Sequence, residues 1–201
     1  GPVAAGVYAA ASRFAAAVYI LSTALRIVVA PLYSAMLSTR EVKAAEALYQ
    51  QTTKWIVVLS TPLYVLLAAF GGTLLSVLGT EFKSGATAVA IMSVGLIGVL
   101  LAGNIQTVLL MSGQSSLAAR VKGAAVVVFV AALWLLVPRY GVEGAALAFV
   151  LSQLVDALLS AVYVQGRVGV RVGGPGLRLA FVLPLVAVGV PALACRLAWG
   201  D

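Results

Sequence analysis

The sequence predicts an all-α fold, a polytopic bundle of about six transmembrane helices, and three observations lead to it. Hydrophobic residues make up 63% of the chain and charged residues only 9%, and the mean hydropathy is +1.11. A soluble domain is roughly 45–50% apolar and about 25% charged, so lipid is the solvent that fits this composition. The apolar residues also fall into runs of membrane-spanning length, with most charges between the runs.

Each predicted span is a run of about 20 mostly apolar residues, enough to cross a ~30 Å hydrocarbon core. The spans cover residues 3–37, 55–78, 86–111, 117–137, 142–163 and 177–199. The first run is too long for one straight crossing, and Pro31 is its expected kink. Turns are expected at 112–116 and 138–141, where Ser, Gly, Pro and Arg interrupt the apolar pattern.

The chain is expected to divide into three parts. Residues 1–165 form a five-helix bundle, 166–176 a cytoplasmic connector rich in Gly and Arg, and 177–201 an additional transmembrane helix. Basic residues orient the bundle, because loops rich in Lys and Arg stay in the cytoplasm. Three residues lie on one side: Lys83, Arg139 and Arg196. Eight lie on the other side, which is therefore predicted to be cytoplasmic: Arg40, Lys43, Lys54, Arg120, Lys122, Arg167, Arg171 and Arg178.

Residue types that are rare in this sequence exclude several classes of function. Cys195 is the single cysteine and there is no histidine, which excludes a disulfide framework, a cysteine metal site and histidine-based catalysis. Signatures such as a P-loop, HExxH or an Asp-rich cluster are also missing. We therefore expect a transporter rather than an enzyme, with no cofactor or metal. The net charge of +7 is assigned to membrane orientation and headgroup contacts, not to nucleic acid.

Two arginines inside the first span are the leading candidates for substrate binding. An ion within a span costs roughly 2.5–3.5 kcal/mol on insertion scales and usually faces a bundle interior or a cavity. Arg26 lies deep in the span, and its guanidinium fork suits a phosphate or diphosphate. Arg13 lies nearer the outer end, about 220° away around a straight helix. Snorkelling of Arg13 and a structural pair between Arg26 and Asp156 are the alternatives.

Three further polar residues lie inside apolar spans. Asp156 is the one acid well inside a span and is a candidate for ion coupling. Asn104 and Gln106 are candidates for lining a polar substrate path in the third span. Hydrogen bonding between helices is the alternative for both amides.

A series of short motifs resembles a known transporter family. The motifs are GVYAAASRF at 6–14, GTEF at 79–82, SGQ at 112–114 and, most specific, VPRYGVEGAA at 137–146. Their order and spacing over residues 6–167 are similar to those of Wzx-like polysaccharide flippases of the multidrug/oligosaccharidyl-lipid/polysaccharide exporter superfamily. The chain resembles a C-terminal fragment covering the eighth to thirteenth helices of that family, half of a two-bundle transporter.

The resemblance implies flipping of a polyprenyl-(di)phosphate-linked oligosaccharide across the cytoplasmic membrane by alternating access. Arg13 and Arg26 would then lie on a helix that helps to line the cavity. The implied partners are the lipid-linked oligosaccharide, membrane lipids and the N-terminal helix bundle of the same protein, with a glycan polymerase or glycosyltransferases as further candidates. This segment alone is not expected to transport.

Three other functions compete with this interpretation. A multidrug or cation antiporter of the same superfamily would need several buried acids. A membrane enzyme acting on lipid-linked sugars would need catalytic groups in large external loops, and the predicted loops are short. A non-catalytic membrane subunit of a glycan-assembly complex stays open on sequence alone.

Overall fold

The computed structural model describes residues 2–77, 79–172, 180, 182–189 and 191–192. Within the first two ranges the chain is a succession of helices, and the described residues contain no strand, which confirms the predicted all-α fold. The helices, in chain order, are α1 (Pro2–Ser38), α2 (Val42–Ser76), a 3₁₀ turn (Thr80–Gly85), α3 (Ala86–Leu100), α4 (Ile105–Met111) and α5 (Ser115–Tyr163), which continues as one π-helical turn (Val164–Val168).

Within the described residues, four helical segments are long and apolar enough to cross a membrane, and the chain is therefore a membrane protein. These segments are Ala5–Ser38, Val42–Ser76, Phe82–Leu100 and Ser115–Val168. α1 and α2 both run through an internal proline, Pro31 and Pro62, without interruption. α2 begins at Val42, so the stretch expected to lead into the second span at 55 is part of the same continuous helix.

α5 is folded back on itself at Gly141. Its 49 residues would extend about 74 Å as a straight helix. Gly141 instead has φ 55° and ψ −125°, values that are non-helical and that glycine tolerates best. The two arms then come so close that a Cβ on Gly144 would collide with the Leu136 carbonyl. The chain therefore reverses where the sequence predicted a turn, at 138–141, and the arms form a helical hairpin.

The third predicted span, 86–111, is not one continuous helix. It is interrupted over residues 101–104, between α3 and α4, and this break corrects the sequence expectation. Gly103 has φ +52° and lies against Thr53 of α2, with no room for a Cβ. The Tyr49 hydroxyl donates a 2.8 Å hydrogen bond to the Ala102 carbonyl in the break, and the same carbonyl accepts a 3.2 Å bond from the Ile105 N–H.

Two apolar clusters occupy opposite ends of the bundle. The first joins the start of α1, the end of α2, α3 and the second arm of α5, with members such as Ala11, Leu75, Met92 and Ala146. The second joins the end of α1, the start of α2, α4, the start of α5 and the segment after it, with members such as Tyr33, Tyr49, Val108, Val121 and Val170. Because each cluster contains the start of one helix and the end of the next, α1 and α2 are antiparallel.

The predicted connector and sixth span are described only in part. Residues 164–168 form the π-helical turn, and Gly169 ends it in the left-handed conformation. Val170 is fully buried in the second cluster, so the beginning of the connector packs against the bundle. Residues 180, 182–189 and 191–192 are helical. The rest of the predicted span 177–199, with the remainder of the connector, lies outside the described residues.

Candidate functional site

A buried carboxylate forms the centre of a polar cluster between α4 and the two arms of α5. Asp156 is buried, and its Oδ2 lies 2.9 Å from Lys122 Nζ. The Gln106 side-chain amide donates a hydrogen bond to the same oxygen. A buried carboxylate is costly unless it is paired and hydrogen-bonded, and here both conditions are met at Oδ2.

The hairpin of α5 explains how these residues meet. Lys122 and Asp156 lie at equal distances along the chain before and after Arg139, which is in the turn. Folding at the turn therefore places Lys122 beside Asp156. In one straight helix the two would lie about 50 Å apart. α4 packs against α5 and contributes Gln106 from the side. The ion pair therefore closes the hairpin as well as neutralising the acid.

A cleft of about 250 Å³ lies beside this cluster, lined by Gln106, Leu109, Leu110, Ser115, Ala118, Ala119, Lys122 and Ser160. Two buried oxygens in this region, Asp156 Oδ1 and Ser160 Oγ, make no hydrogen bond within the described part of the chain. The Lys122 side chain is 54% exposed, so its charge is accessible from outside the bundle. The region combines a charge pair with free acceptor oxygens and apolar walls.

Arg26 lies apart from this cluster, at the edge of the face by which α1 contacts the bundle. That face is marked by Ser22 and Val29, both buried, and Arg26 itself is partly buried. Its guanidinium carbon lies 5.2 Å from the centre of the Tyr19 ring, a cation–π distance. Nε is shielded from solvent and makes no hydrogen bond within the described residues. The suggested pair between Arg26 and Asp156 is wrong, because Lys122 holds that carboxylate.

Arg13 does not share a site with Arg26. It is exposed, on the side of α1 opposite the buried residues Ala11 and Ala15. The angular separation expected from the sequence therefore holds in the structure, in which α1 is continuous through Pro31. Arg13 therefore does not contribute to an anion site at Arg26.

Asn104 and Gln106 are close in sequence but have different surroundings. Gln106 contacts Asp156 and lines the cleft. Asn104 is fully buried in the break before α4, and neither polar atom of its amide has a partner in the described structure. It therefore does not line the cleft with Gln106. The alternative of an interhelical hydrogen bond is therefore not met for the Asn104 side chain within the described residues.

The contacts of Lys122 and the position of Ser160 are not evident from the sequence. Because Lys122 lies close to a predicted turn, the sequence predicts only that it is one of the cytoplasmic cations that set orientation. The structure instead shows it bound to Asp156. The sequence does contain a signal for this pair, because Lys122 and Asp156 lie symmetrically before and after the predicted turn at 138–141. Ser160 follows Asp156 by one helical turn, a spacing that puts both on one face.

The described residues hold no group of three or more Asp, Glu, Cys or His side chains that would bind a metal ion. No protein-family model, curated protein or solved structure matches the chain. Two charged features stand inside the helices that the structure describes: Arg26 on α1, which forms no ion pair there, and Asp156 in the α5 hairpin, which Lys122 neutralises.

Proposed function

We propose that this chain is part of a multi-pass transporter of the cytoplasmic membrane that flips a polyprenyl-(di)phosphate-linked oligosaccharide by alternating access. In this proposal each arm of α5 crosses the membrane separately, and a second helix bundle supplies the other wall of the cavity. The resemblance of 6–167 to Wzx-like flippases is one support. The other is the chemistry of Arg26.

The observation that carries the proposal is an arginine inside a candidate membrane span that forms no ion pair within the described residues. No carboxylate of the described residues lies within ion-pair distance of Arg26. A cation left unpaired inside a span costs free energy unless it contacts water or an anionic ligand. The planar guanidinium matches a phosphate in bidentate geometry, so a lipid-linked phosphate or diphosphate is the ligand that fits it.

The state of Asp156 argues against a cation antiporter. Such a transporter needs a carboxylate that is free to exchange Na⁺ or H⁺. Lys122 Nζ already neutralises Asp156 from 2.9 Å, and Gln106 also bonds to the same oxygen. The balance of charge within the described spans is therefore positive, which favours an anionic substrate.

Binding of a labelled polyprenyl diphosphate to the purified chain in lipid nanodiscs tests the role of Arg26. Charge-assisted hydrogen bonds contribute about 1.5–3 kcal/mol, so R26Q should weaken binding roughly 10- to 150-fold. R26K keeps the charge but not the guanidinium fork, so its affinity should lie between those of wild type and R26Q. R139Q removes an exposed arginine at the hairpin turn and serves as the matched control.

Two results would contradict the proposal. One is equal affinity in wild type and R26Q. The other is equal binding of the neutral polyprenol, which would show that the chain recognises only the hydrocarbon tail. If binding behaves as expected, flipping of a fluorescent lipid-linked oligosaccharide in proteoliposomes, with the partner bundle present, is the measurement of transport itself.

A further inference from the structure

Two segments far apart in the sequence meet at one corner of the bundle. The residues after α5 pack against the turn between α1 and α2. The Arg171 backbone N–H donates a 3.2 Å hydrogen bond to Glu46 Oε2 of α2. A Cβ at Gly169 would lie 3.8 Å from Val42 Cγ1, and Val170 is fully buried beneath them. These contacts fix the two segments side by side.

The corner where they meet carries a concentration of positive charge. Two acids lie at this corner. Glu46 accepts hydrogen bonds from Gln50 and from the Arg171 backbone, and Glu41 is exposed beside Arg40. Neither acid forms an ion pair with a basic side chain of the corner within the described residues. We name the exposed cations of these two segments the basic corner: Arg40, Lys43, Arg167 and Arg171.

The backbone of Arg40 is unusual and supports a functional role for its side chain. Arg40 has φ 60°, the one positive φ among the described residues other than glycine. It ends α1 in a Schellman-type turn, with Glu41 N bonded to Met36 O at 2.8 Å and Arg40 N to Leu37 O at 3.3 Å. Glycine is the preferred residue there, so Arg40 adopts this conformation against its own preference.

The surroundings of the basic corner match an amphipathic ligand. The corner lies where α1 and α5 end and α2 begins, at the boundary between apolar helix and polar turn. Two helical turns before Arg40, Leu32 on α1 is 45% exposed. On α5, Val162 is 65% exposed just before Arg167. Cations next to exposed aliphatic side chains offer separate contacts for a phosphate headgroup and for acyl chains.

We propose that the basic corner is a binding site for an anionic phospholipid with two phosphodiester groups, of which cardiolipin is the test case. Each segment supplies one pair of cations, and the two pairs match the two phosphates. The apolar flanks accept the acyl chains. A soluble acidic protein would leave those flanks uncovered. The site is independent of transport and predicts that the lipid stabilises the packing of the segment after α5 on α2.

Thermal unfolding of the purified chain in neutral detergent micelles tests this site. Added cardiolipin should raise the midpoint in a saturable way, and native mass spectrometry should detect one bound lipid per chain. R167Q/R171Q should weaken that binding roughly 30-fold, the effect of removing two cations at a lipid surface. K83Q/R139Q removes the same charge from exposed positions at the opposite end and should keep wild-type affinity.

Each alternative outcome has a distinct meaning. Equal loss in both double variants would show diffuse electrostatic attraction and overturn the site. Unchanged binding in R167Q/R171Q would overturn it as well. Stabilisation by inorganic phosphate at matched ionic strength, equal to that by cardiolipin, would show a simple anion site and refute lipid recognition. R40Q adds an independent test, since it alters the corner without touching the segment after α5.

Discussion

The two residues of the ion pair between Lys122 and Asp156 should contribute unequally to the stability of the protein. Asp156 is buried, with an 8% exposed side chain, whereas the Lys122 side chain is 54% exposed. Removing the lysine, as in K122M, leaves a buried carboxylate with only the Gln106 amide as a partner. Removing the acid charge, as in D156N, leaves a lysine that can turn toward the headgroup region. K122M should therefore destabilise the protein more than D156N does.

The magnitude follows from the separation of the charges and their exposure. At 2.9 Å two unit charges attract by about 1.4 kcal/mol in a water-like dielectric and by about 6 kcal/mol at an effective dielectric of 20. Desolvation offsets much of this attraction, and losing one partner of a fully buried pair costs about 3–5 kcal/mol. Because Lys122 is half exposed, we expect about 2 kcal/mol for K122M and about 0.5 kcal/mol for D156N.

Thermal unfolding in detergent, followed by intrinsic tryptophan fluorescence, measures both variants and the double variant K122M/D156N. For a chain of this size about 1 kcal/mol corresponds to roughly 2–4 °C. K122M should lower the midpoint by about 4–8 °C and D156N by about 1–2 °C. The double variant should unfold at a higher temperature than K122M, because it contains no unpaired buried charge.

K83M is the matched control, because Lys83 is exposed and forms no ion pair within the described structure. It should leave the midpoint within about 1 °C of wild type, as surface substitutions usually do. The reasoning fails if D156N is as damaging as K122M, or if the two single effects simply add in the double variant. Additivity would mean that the pair contributes no coupling energy to the hairpin.

Three further predictions concern the backbone. R40G should raise the unfolding free energy by about 0.5–1 kcal/mol, because glycine accepts the left-handed conformation without strain. G103A should lower it by more than 1 kcal/mol, since φ is +52° and the added Cβ would collide with Thr53, whereas G123A, with open space around it, should be neutral or stabilising. Y49F should cost about 0.5–1.5 kcal/mol by removing the 2.8 Å hydrogen bond to the break.

The same thermal unfolding measures these variants, and each has a result that counts against its premise. Destabilisation by R40G would mean that the Arg40 side chain contributes more than its backbone conformation costs. Equal effects of G103A and G123A would show that the break before α4 is not held tightly. An unchanged midpoint in Y49F would indicate that the backbone bond from the Ile105 N–H satisfies the Ala102 carbonyl without the tyrosine.

Several features of this protein follow from the sequence alone. Composition and long apolar runs predicted that the chain is all-α and lies in a membrane, because a continuous run of about 20 apolar residues crosses lipid as a helix, with its backbone hydrogen-bonded internally. The turn at 138–141 was also predictable, because Pro138 and Gly141 interrupt the helical pattern locally. Arg26 was also identified from local sequence, because a charged residue within an apolar run is recognised without knowing its contacts.

The remaining features depend on contacts that no local pattern encodes. The sequence marks Asp156 as a candidate for ion coupling but does not reveal its pairing with Lys122, because that pairing depends on the register of two helical arms. The break between α3 and α4 is likewise stabilised from outside, by Thr53 and Tyr49 of α2. Uniformly apolar helices carry almost no periodic signal of which face is buried. Helix rotation, and with it the partner of each polar residue, is therefore decided by tertiary packing.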